Sequence, residues 1–182
     1  MALAHAILVS LLDCPCSGYD LAKRFDRSVG FFWDASHQQI YRELAKLEAE
    51  GYLVAEKIDQ EGRPNKKVYE VTPYGRQLLQ EWIAQPAEIS PVKDDLLVKL
   101  FGGHLVPKEI ILKELEQHRQ QHLARLAEYQ SIQATFQEQP VRLPLEAEYQ
   151  YLTLLNGLKY EESWLAWCEE AIARLTRSRP AS

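Results

Sequence analysis

Residues 35–76 decide the predicted fold, and they read ASHQQIYRELAKLEAEGYLVAEKIDQEGRPNKKVYEVTPYGR. The stretch opens with an amphipathic helix over residues 36–50, for which Ser36 is a candidate N-cap. Gly51 follows, and glycine commonly ends a helix in the left-handed conformation. At about 100° per residue the helix has one apolar stripe and a polar face opposite to it. The stripe consists of Ile40, Leu44 and Leu47.

The residues after this helix predict a β-hairpin. Residues 52–58 alternate between two faces, as a half-buried strand does, and residues 68–71 supply the returning strand. The sequence EGRPN between the strands has the composition of a turn, so basic side chains lie at or near the tip. Thr72-Pro73 then starts another helix, because Pro fits the first helical position. This order predicts a mainly α protein with an N-terminal winged helix-turn-helix and a two-stranded β-wing.

The polar face of the helix suits the major groove of DNA. Gln can bond adenine through two hydrogen bonds, Arg can bond guanine, and Ala permits close approach. A solvated polar face is the alternative, since every amphipathic helix has one. The candidates for base or groove contacts are Gln38, Gln39, Arg42 and Lys46. The candidates for phosphate contacts are Tyr19, Lys23, Tyr41, Lys66 and Lys67, and Arg63 is a candidate for the minor groove.

Three segments of this stretch resemble the PadR family of bacterial transcriptional regulators. They are SHQQIYREL (36–44), LEAEGYL (47–53) and KVYEVTPYGR (67–76), which carry Ile-Tyr, Leu-Glu-x-x-Gly and Tyr-x-x-Thr-x-x-Gly in the family's order and spacing. The later half resembles the long helical C-terminal domain of the larger members. The resemblance implies a homodimer that binds double-stranded DNA. It also implies a small apolar or aromatic effector that shifts the two DNA-reading modules.

The chain lacks the net positive charge that usually marks a nucleic-acid-binding protein. The net charge is -5, and neither half is basic: residues 1–85 carry 10 Lys plus Arg against 12 Asp plus Glu, and residues 86–182 carry 11 against 14. Cations gathered on one surface can still form a DNA-binding patch, and a dimer doubles it. The competing interpretation is a winged-helix protein-interaction module without DNA binding, for which the acidic balance is the best support.

Several classes of protein are not indicated by the sequence. No apolar run approaches the roughly 20 residues of a membrane span, and no basic region precedes the short apolar stretch 6–12, so we expect a cytoplasmic protein. Three cysteines do not suggest a disulfide framework, and Cys14 and Cys16 fit a turn. Phosphate-binding loops, nucleophile elbows and HExxH motifs are absent, so we expect neither an enzyme nor a cofactor.

The N-terminal region predicts two further helices, over residues 2–12 and residues 18–27, the second capped by Ser17. The side chains expected to point inward from the second helix are Tyr19, Leu21, Ala22 and Phe25, and those expected outside are Lys23, Arg24 and Arg27. Three aromatic residues precede the recognition helix and would be costly if exposed. We therefore expect Phe31, Phe32 and Trp33 to fill the core between the helices.

A proline-containing linker predicts a boundary between a domain of residues 1–87 and a helical domain of residues 88–182. The second domain is expected to hold a short helix over residues 93–103 and long helices over residues 107–137 and 145–178. The last helix has apolar residues at steps of three and four, typical of a coiled-coil seam, with Glu161 as a charged interruption. The candidate dimerisation residues are Leu154, Leu158, Leu165, Cys168, Ile172 and Leu175.

Two further sets of residues carry hypotheses about ligands. His118 and His122 are one helical turn apart and could share a metal, but no third ligand is fixed by the sequence, so we predict hydrogen-bond partners and no metal. Four tryptophans are candidate walls of an effector pocket, and dimer-interface core is the alternative. They are Trp33, Trp82, Trp164 and Trp167.

Overall fold

The computed structural model describes residues 2–12, 14–26, 28–58, 66–89, 91–137 and 143–177. The chain divides into two compact units, Met1–Ser90 and Pro91–Ser182. The turn predicted between the wing strands, with Arg63, lies outside the described residues, as does Arg27. Within the described residues, no helix combines the length and the apolar character needed to cross a bilayer.

The first unit is a winged helix-turn-helix, as predicted. Its elements are α1 (Ala2–Leu11), β1 (Cys16–Ser17), α2 (Gly18–Asp26), a 3₁₀ turn (Val29–Phe31), α3 (His37–Ala49), β2 (Leu53–Ile58), β3 (Lys66–Val71) and α4 (Pro73–Ile83). The strands form an antiparallel sheet in the order β1-β3-β2, with Leu53 opposite Val71 and Cys16 opposite Tyr69. The third strand, β1, was not predicted, because two residues are too few to show an alternating pattern.

The core of this unit lies where α1, α2 and α3 meet. The predicted stripe of α3 is fully buried there, and each such aliphatic side chain contributes about 1.5–3 kcal/mol when it leaves water. The largest fully buried side chains of the unit are Phe25, Ile7, Leu8, Leu11, Leu21, Ile40, Leu44 and Leu47. Their burial fixes α3 in rotation about its own axis, so that its polar face points to solvent.

Two expectations about aromatic side chains were wrong. Tyr19 was expected to point inward from α2, but 56% of it is exposed. Phe32 and Trp33 were expected in the core, but they are 61% and 40% exposed. The 3₁₀ turn explains the second difference, because its residues Val29 and Gly30 are the ones that face the core. Val29 packs against the core, and a Cβ on Gly30 would lie 2.6 Å from the Phe25 carbonyl oxygen. The two aromatic residues follow this turn and lie outside the core.

Arg24 was expected to lie outside, and its guanidinium instead ties α2 to the segment that precedes it. Nη2 donates to the carbonyl oxygen of Ser10 and lies 3.4 Å from that of Cys14. It also lies 3.5 Å from the Cys16 thiol, whose pKa is raised by burial. Arg24 therefore has a structural role and is not available as a phosphate contact.

The junction of α3, β2 and α4 explains the Thr-x-x-Gly part of the motif. Thr72 caps α4, because its Oγ1 accepts from the Gly75 amide at 3.0 Å, and it donates to the Gly51 carbonyl at 2.8 Å. Gly51 has a φ of 80°, as predicted for the end of α3. A Cβ on Gly75 would lie 2.3 Å from the carbonyl oxygen of Tyr52. The start of α4 thus packs directly on the backbone that links α3 to β2.

The second unit consists of α5 (Asp95–Phe101), a 3₁₀ turn (Gly103–Leu105), α6 (Lys108–Gln137) and α7 (Leu145–Arg177). Asp94 caps α5 by accepting from the Leu96 amide at 2.8 Å. The helices α6 and α7 pack along each other. Their core surrounds Leu96, Ile111 and Leu115, against which the tryptophans and the last apolar residues of α7 pack.

We expect Gly75→Ala to lower the free energy of unfolding by about 1–3 kcal/mol, because the added methyl group overlaps backbone that cannot rotate away. Urea denaturation followed by circular dichroism measures the change. Gln80→Ala, at an exposed position of the same helix, is the control and should leave the midpoint unchanged within error. A Gly75→Ala protein as stable as the parent would contradict the close approach of Gly75 to the Tyr52 carbonyl group.

Candidate nucleic-acid interface

The centre of the exposed face of α3 has one amide, one cation and two small residues. Gln38, Arg42, Ala45 and Ala49 are all exposed, and at 100° per residue they fall within an arc of about 60°. Among the described residues, no carboxylate lies within ion-pair distance of Arg42. Gln38 and Arg42 are also one helical turn apart, so they can address neighbouring base pairs while the alanines allow the backbone to approach.

Gln39 and Lys46, the other two candidates for base or groove contacts on α3, are engaged within the helix. Oε1 of Gln39 accepts from the Ser36 amide at 2.8 Å, and Oγ of Ser36 accepts from the Gln39 amide at 3.3 Å. This is a capping box, so the side-chain oxygen of Gln39 is occupied at the N-terminal end of the helix. The Ser-x-x-Gln spacing carried that signal in the sequence. Nζ of Lys46 lies 3.6 Å from Glu43.

The remaining phosphate candidates of the helices are Tyr19 and Lys23 on α2 and Tyr41 on α3. Tyr41 is 45% exposed, and its ring lies against Gly18, where a Cβ would be 2.6 Å from Cε1. Lys23 holds its ammonium group 4.5 Å from the ring centroid of Tyr19. The absence of a side chain at Gly18 therefore lets the Tyr41 ring pack against the first residue of α2.

The two lysines at the turn end of the wing strands are both in ion pairs. Lys66 Nζ lies 2.7 Å from Asp20 Oδ2, and Lys67 Nζ lies 2.5 Å from Glu48 Oε2. The hydrogen bond from Lys66 lowers the pKa of Asp20, and the hydrogen bond to Glu48 raises the pKa of Lys67. Both lysines remain more than one third exposed. They can reach a phosphate only in competition with the chain's own carboxylates.

The four tryptophans do not form one cluster within either unit. Trp33 follows the 3₁₀ turn, and Trp82 on α4 stacks on His5 with ring centroids 4.3 Å apart. In the second unit Trp164 and Trp167 meet edge to face at 5.0 Å, and both are half-buried. Within the part of each unit that the structure describes, Trp164 and Trp167 are the two tryptophans in mutual contact, so this pair is the better candidate for an aromatic site.

The paired histidines of α6 take different roles. His122 Nδ1 lies 2.5 Å from Oε2 of the buried Glu161, and its ring stacks on Trp164 at 4.9 Å. The ring centroid of His118 is 6.4 Å from that of His122. In the described ranges, no three His, Cys, Asp or Glu residues are grouped as a metal site requires. His122 thus joins α6 to α7 through the charged interruption of the seam.

Part of the predicted dimerisation seam lies within the chain's own helix pair. Leu158 and Cys168 are buried, and Ile172 and Leu175 pack against the core of the second unit, while Leu154 and Leu165 are half-buried. A different apolar surface is exposed on α5, the following turn and the start of α6. It comprises Val98, Phe101, Leu105 and Ile110, and Phe101 alone is 92% exposed. The sequence pattern did not indicate this surface.

Comparison with known proteins identifies the two units separately. Residues 7–81 match the model of the transcriptional regulator PadR-like family, and residues 92–176 match that of the virulence activator alpha C-terminal region. The chain is 39% identical to a protein of Mycobacterium tuberculosis named "Probable transcriptional regulator", over 98% of this chain and 100% of that one. It is 31% identical to the negative transcriptional regulator PadR of Bacillus subtilis, over 96% and 98%.

Solved structures of transcriptional regulators are also similar to this chain. Bacillus subtilis PadR in complex with operator DNA superposes with a TM-score of 0.84 at 28% identity, covering 96% of this chain and 99% of that one. PadR in complex with p-coumaric acid gives 0.76 at 26%, over 97% and 96%. The Vibrio cholerae virulence activator AphA gives 0.76 at 33%, over 96% and 98%.

These matches span nearly the whole chain and confirm both the winged-helix fold and the resemblance seen in the sequence. The relatives are named as regulators of transcription, in agreement with the expectation that the chain is not an enzyme. The chain belongs to the PadR-like family of transcriptional regulators.

Proposed function

We propose that the chain binds double-stranded DNA as a homodimer and represses transcription from promoters that carry a pseudo-palindromic site. The observation that carries the proposal is the exposed face of α3, where Gln38 and Arg42 stand beside small residues and Arg42 forms no ion pair with any carboxylate that the structure describes. The similarity to PadR, which has been solved with operator DNA, supports the same role. Base contacts from this face select the sequence, and phosphate contacts from α2 and the wing set the register.

A two-fold dimer would present two copies of α3 to successive major grooves, about 34 Å apart or at a multiple of that distance. The recognised sequence then repeats with inverted symmetry, because each half-site meets the same side chains. A dimer bound over a promoter excludes polymerase, which makes repression the simplest outcome. The relatives include both a negative regulator and a virulence activator, so a promoter reporter has to measure the sign of the effect.

We expect Arg42→Ala to weaken binding to the cognate site by about 1–3 kcal/mol and to relax the preference at one base pair, because a bidentate contact to guanine is lost. The cognate site is obtained by selecting bound fragments from genomic DNA, and fluorescence anisotropy measures affinity. Arg174→Ala, which removes the same charge from an exposed position of α7, is the control.

Equal affinity of the Arg42→Ala protein and the parent for all sequences would exclude α3 as the reading element. A protein-interaction module without DNA binding predicts no salt-dependent retention on DNA at all. Repression predicts lower output from a reporter that carries the recovered site, with recovery in the Arg42→Ala protein. Higher output from the parent would show activation.

For the homodimer, we propose that the exposed apolar surface of α5 and the start of α6 is covered by a second copy of the chain. Val98, Phe101, Leu105 and Ile110 supply it, and several exposed apolar side chains close together in the chain make this surface a candidate interaction site. The half-buried seam residues Leu154 and Leu165 remain as additional candidates on α7. Dimerisation follows because burying these side chains removes apolar area from water.

We expect Phe101→Asp to weaken the dimer by at least about 2 kcal/mol, because a charge would be buried where an aromatic side chain was. Analytical ultracentrifugation measures the dissociation constant. Ala134→Asp adds the same charge to an exposed position of α6 outside this surface and should leave the constant unchanged. A Phe101→Asp protein that is as dimeric as the parent would place the interface elsewhere.

For the effector, we propose a small aromatic acid bound beside Trp164 and Trp167, which are half-buried and in mutual contact. p-Coumaric acid, found in a structure of PadR, is a suitable probe. We expect it to quench tryptophan fluorescence saturably and to weaken DNA binding. Trp164→Phe should reduce both effects, and Trp33→Phe should retain them. Unchanged fluorescence and DNA affinity at millimolar probe would remove this class of effector.

A further inference from the structure

We propose that Asp20 and Glu48 are internal competitors of the DNA backbone: by pairing with Lys66 and Lys67, they weaken sequence-independent binding to phosphates. The inference rests on the proposed function, since it concerns the same DNA-facing surface. It assigns a role to two acidic side chains whose negative charge would otherwise only repel the DNA backbone.

The pair between Lys67 and Glu48 joins the wing to the flank of α3. Their charged atoms lie 2.5 Å apart, and both side chains are about one third exposed. Lys67 also lies 5.4 Å from the ring centroid of Tyr69, which helps to hold its side chain over the sheet. Glu48 is about 80° from Gln38 around α3, next to the proposed reading face but not within it. A phosphate that reaches Lys67 must therefore displace a neighbouring carboxylate.

The second pair repeats the arrangement on α2. Lys66 Nζ lies 2.7 Å from Oδ2 of Asp20, which also accepts from the Ser17 hydroxyl at 2.7 Å. The Ser17 contact fixes the carboxylate in the first turn of α2, so it does not turn away easily when an anion approaches. The hydrogen bonds lower the pKa of Asp20 and raise that of Lys67, and both groups therefore stay charged at neutral pH.

The two pairs contrast with Arg42 on the reading face. Protein cations that neutralise DNA phosphates release the counterions condensed on the DNA, and this release favours binding. A cation that is already paired with a carboxylate contributes less to that free energy. No carboxylate among the described residues lies within ion-pair distance of Arg42, whereas Lys66 and Lys67 each form an ion pair. Arg42 is therefore available for base contacts, whereas the contribution of Lys66 and Lys67 to phosphate binding is reduced. An exposed ion pair contributes only about 0–1 kcal/mol to stability, so removing either carboxylate should leave the protein folded and its effect on DNA binding measurable.

The test compares Glu48→Gln and Asp20→Asn with the parent on a duplex of random sequence over a range of salt concentrations. Each substitution keeps the shape of the side chain and removes its charge. We expect each to raise non-specific affinity about 3- to 10-fold at low salt and to steepen the salt slope by about 0.9, as one more phosphate contact would. Glu81→Gln, which removes the same charge from an exposed position of α4, should change neither.

A double-mutant cycle separates competition from a general charge effect. In the Lys67→Ala background, Glu48→Gln should lose most of its gain, and Asp20→Asn should lose its gain in the Lys66→Ala background. Ser17→Ala removes the hydroxyl partner of Asp20 but keeps the carboxylate, and we expect a smaller rise in affinity than Asp20→Asn gives, because the carboxylate can then turn away from Lys66 more easily. Circular dichroism confirms that each variant is folded.

The results distinguish this inference from the proposed function. A parent that binds DNA, together with variants that show no gain or the same gain in both backgrounds, would overturn the inference alone. A folded parent and folded variants that bind no DNA at any salt concentration would overturn both.

Discussion

The burial of one stripe of α3 against α1 and α2 determines what the first unit presents to solvent. Ile40, Leu44 and Leu47 are inaccessible, and together they fix the rotation of the helix about its axis. A helix that turned by one residue would expose an aliphatic side chain and bury a polar one, at a cost of several kcal/mol. Gln38 and Arg42 point outward because the opposite side of the same helix is held in the core.

Local patterns predicted much of the fold, and non-local contacts explain most of what was missed. The α3 stripe, the glycine at its end and the Thr72 cap depend on residues within one or two turns of each other, so spacing alone reveals them. The ion pair of Lys67 with Glu48 spans 19 residues, and Lys66 and Asp20 are further apart still. Such pairs exist only after the wing has folded back on the helices, and composition does not indicate them.

The candidate site shows the same division. The exposed positions of Gln38 and Arg42 follow from helical periodicity, but the commitment of Gln39 to the capping box was a local signal that was overlooked. In the C-terminal half, the three-and-four spacing of α7 correctly marked a packing seam. It did not say whether α6 or another chain would fill it, because both partners require the same pattern. Buried Leu158 and Cys168 show that α6 fills part of it.

The contact between His122 and Glu161 has a consequence for how the long helices align. Helices of 30 and 33 residues with apolar seams can slide past each other by a turn with little change in packing. Such a slip here would leave the Glu161 carboxyl group among apolar side chains without its imidazole partner, which is costly in a dry interior. A single polar contact thereby selects one register of the hairpin from several that hydrophobic packing alone would accept.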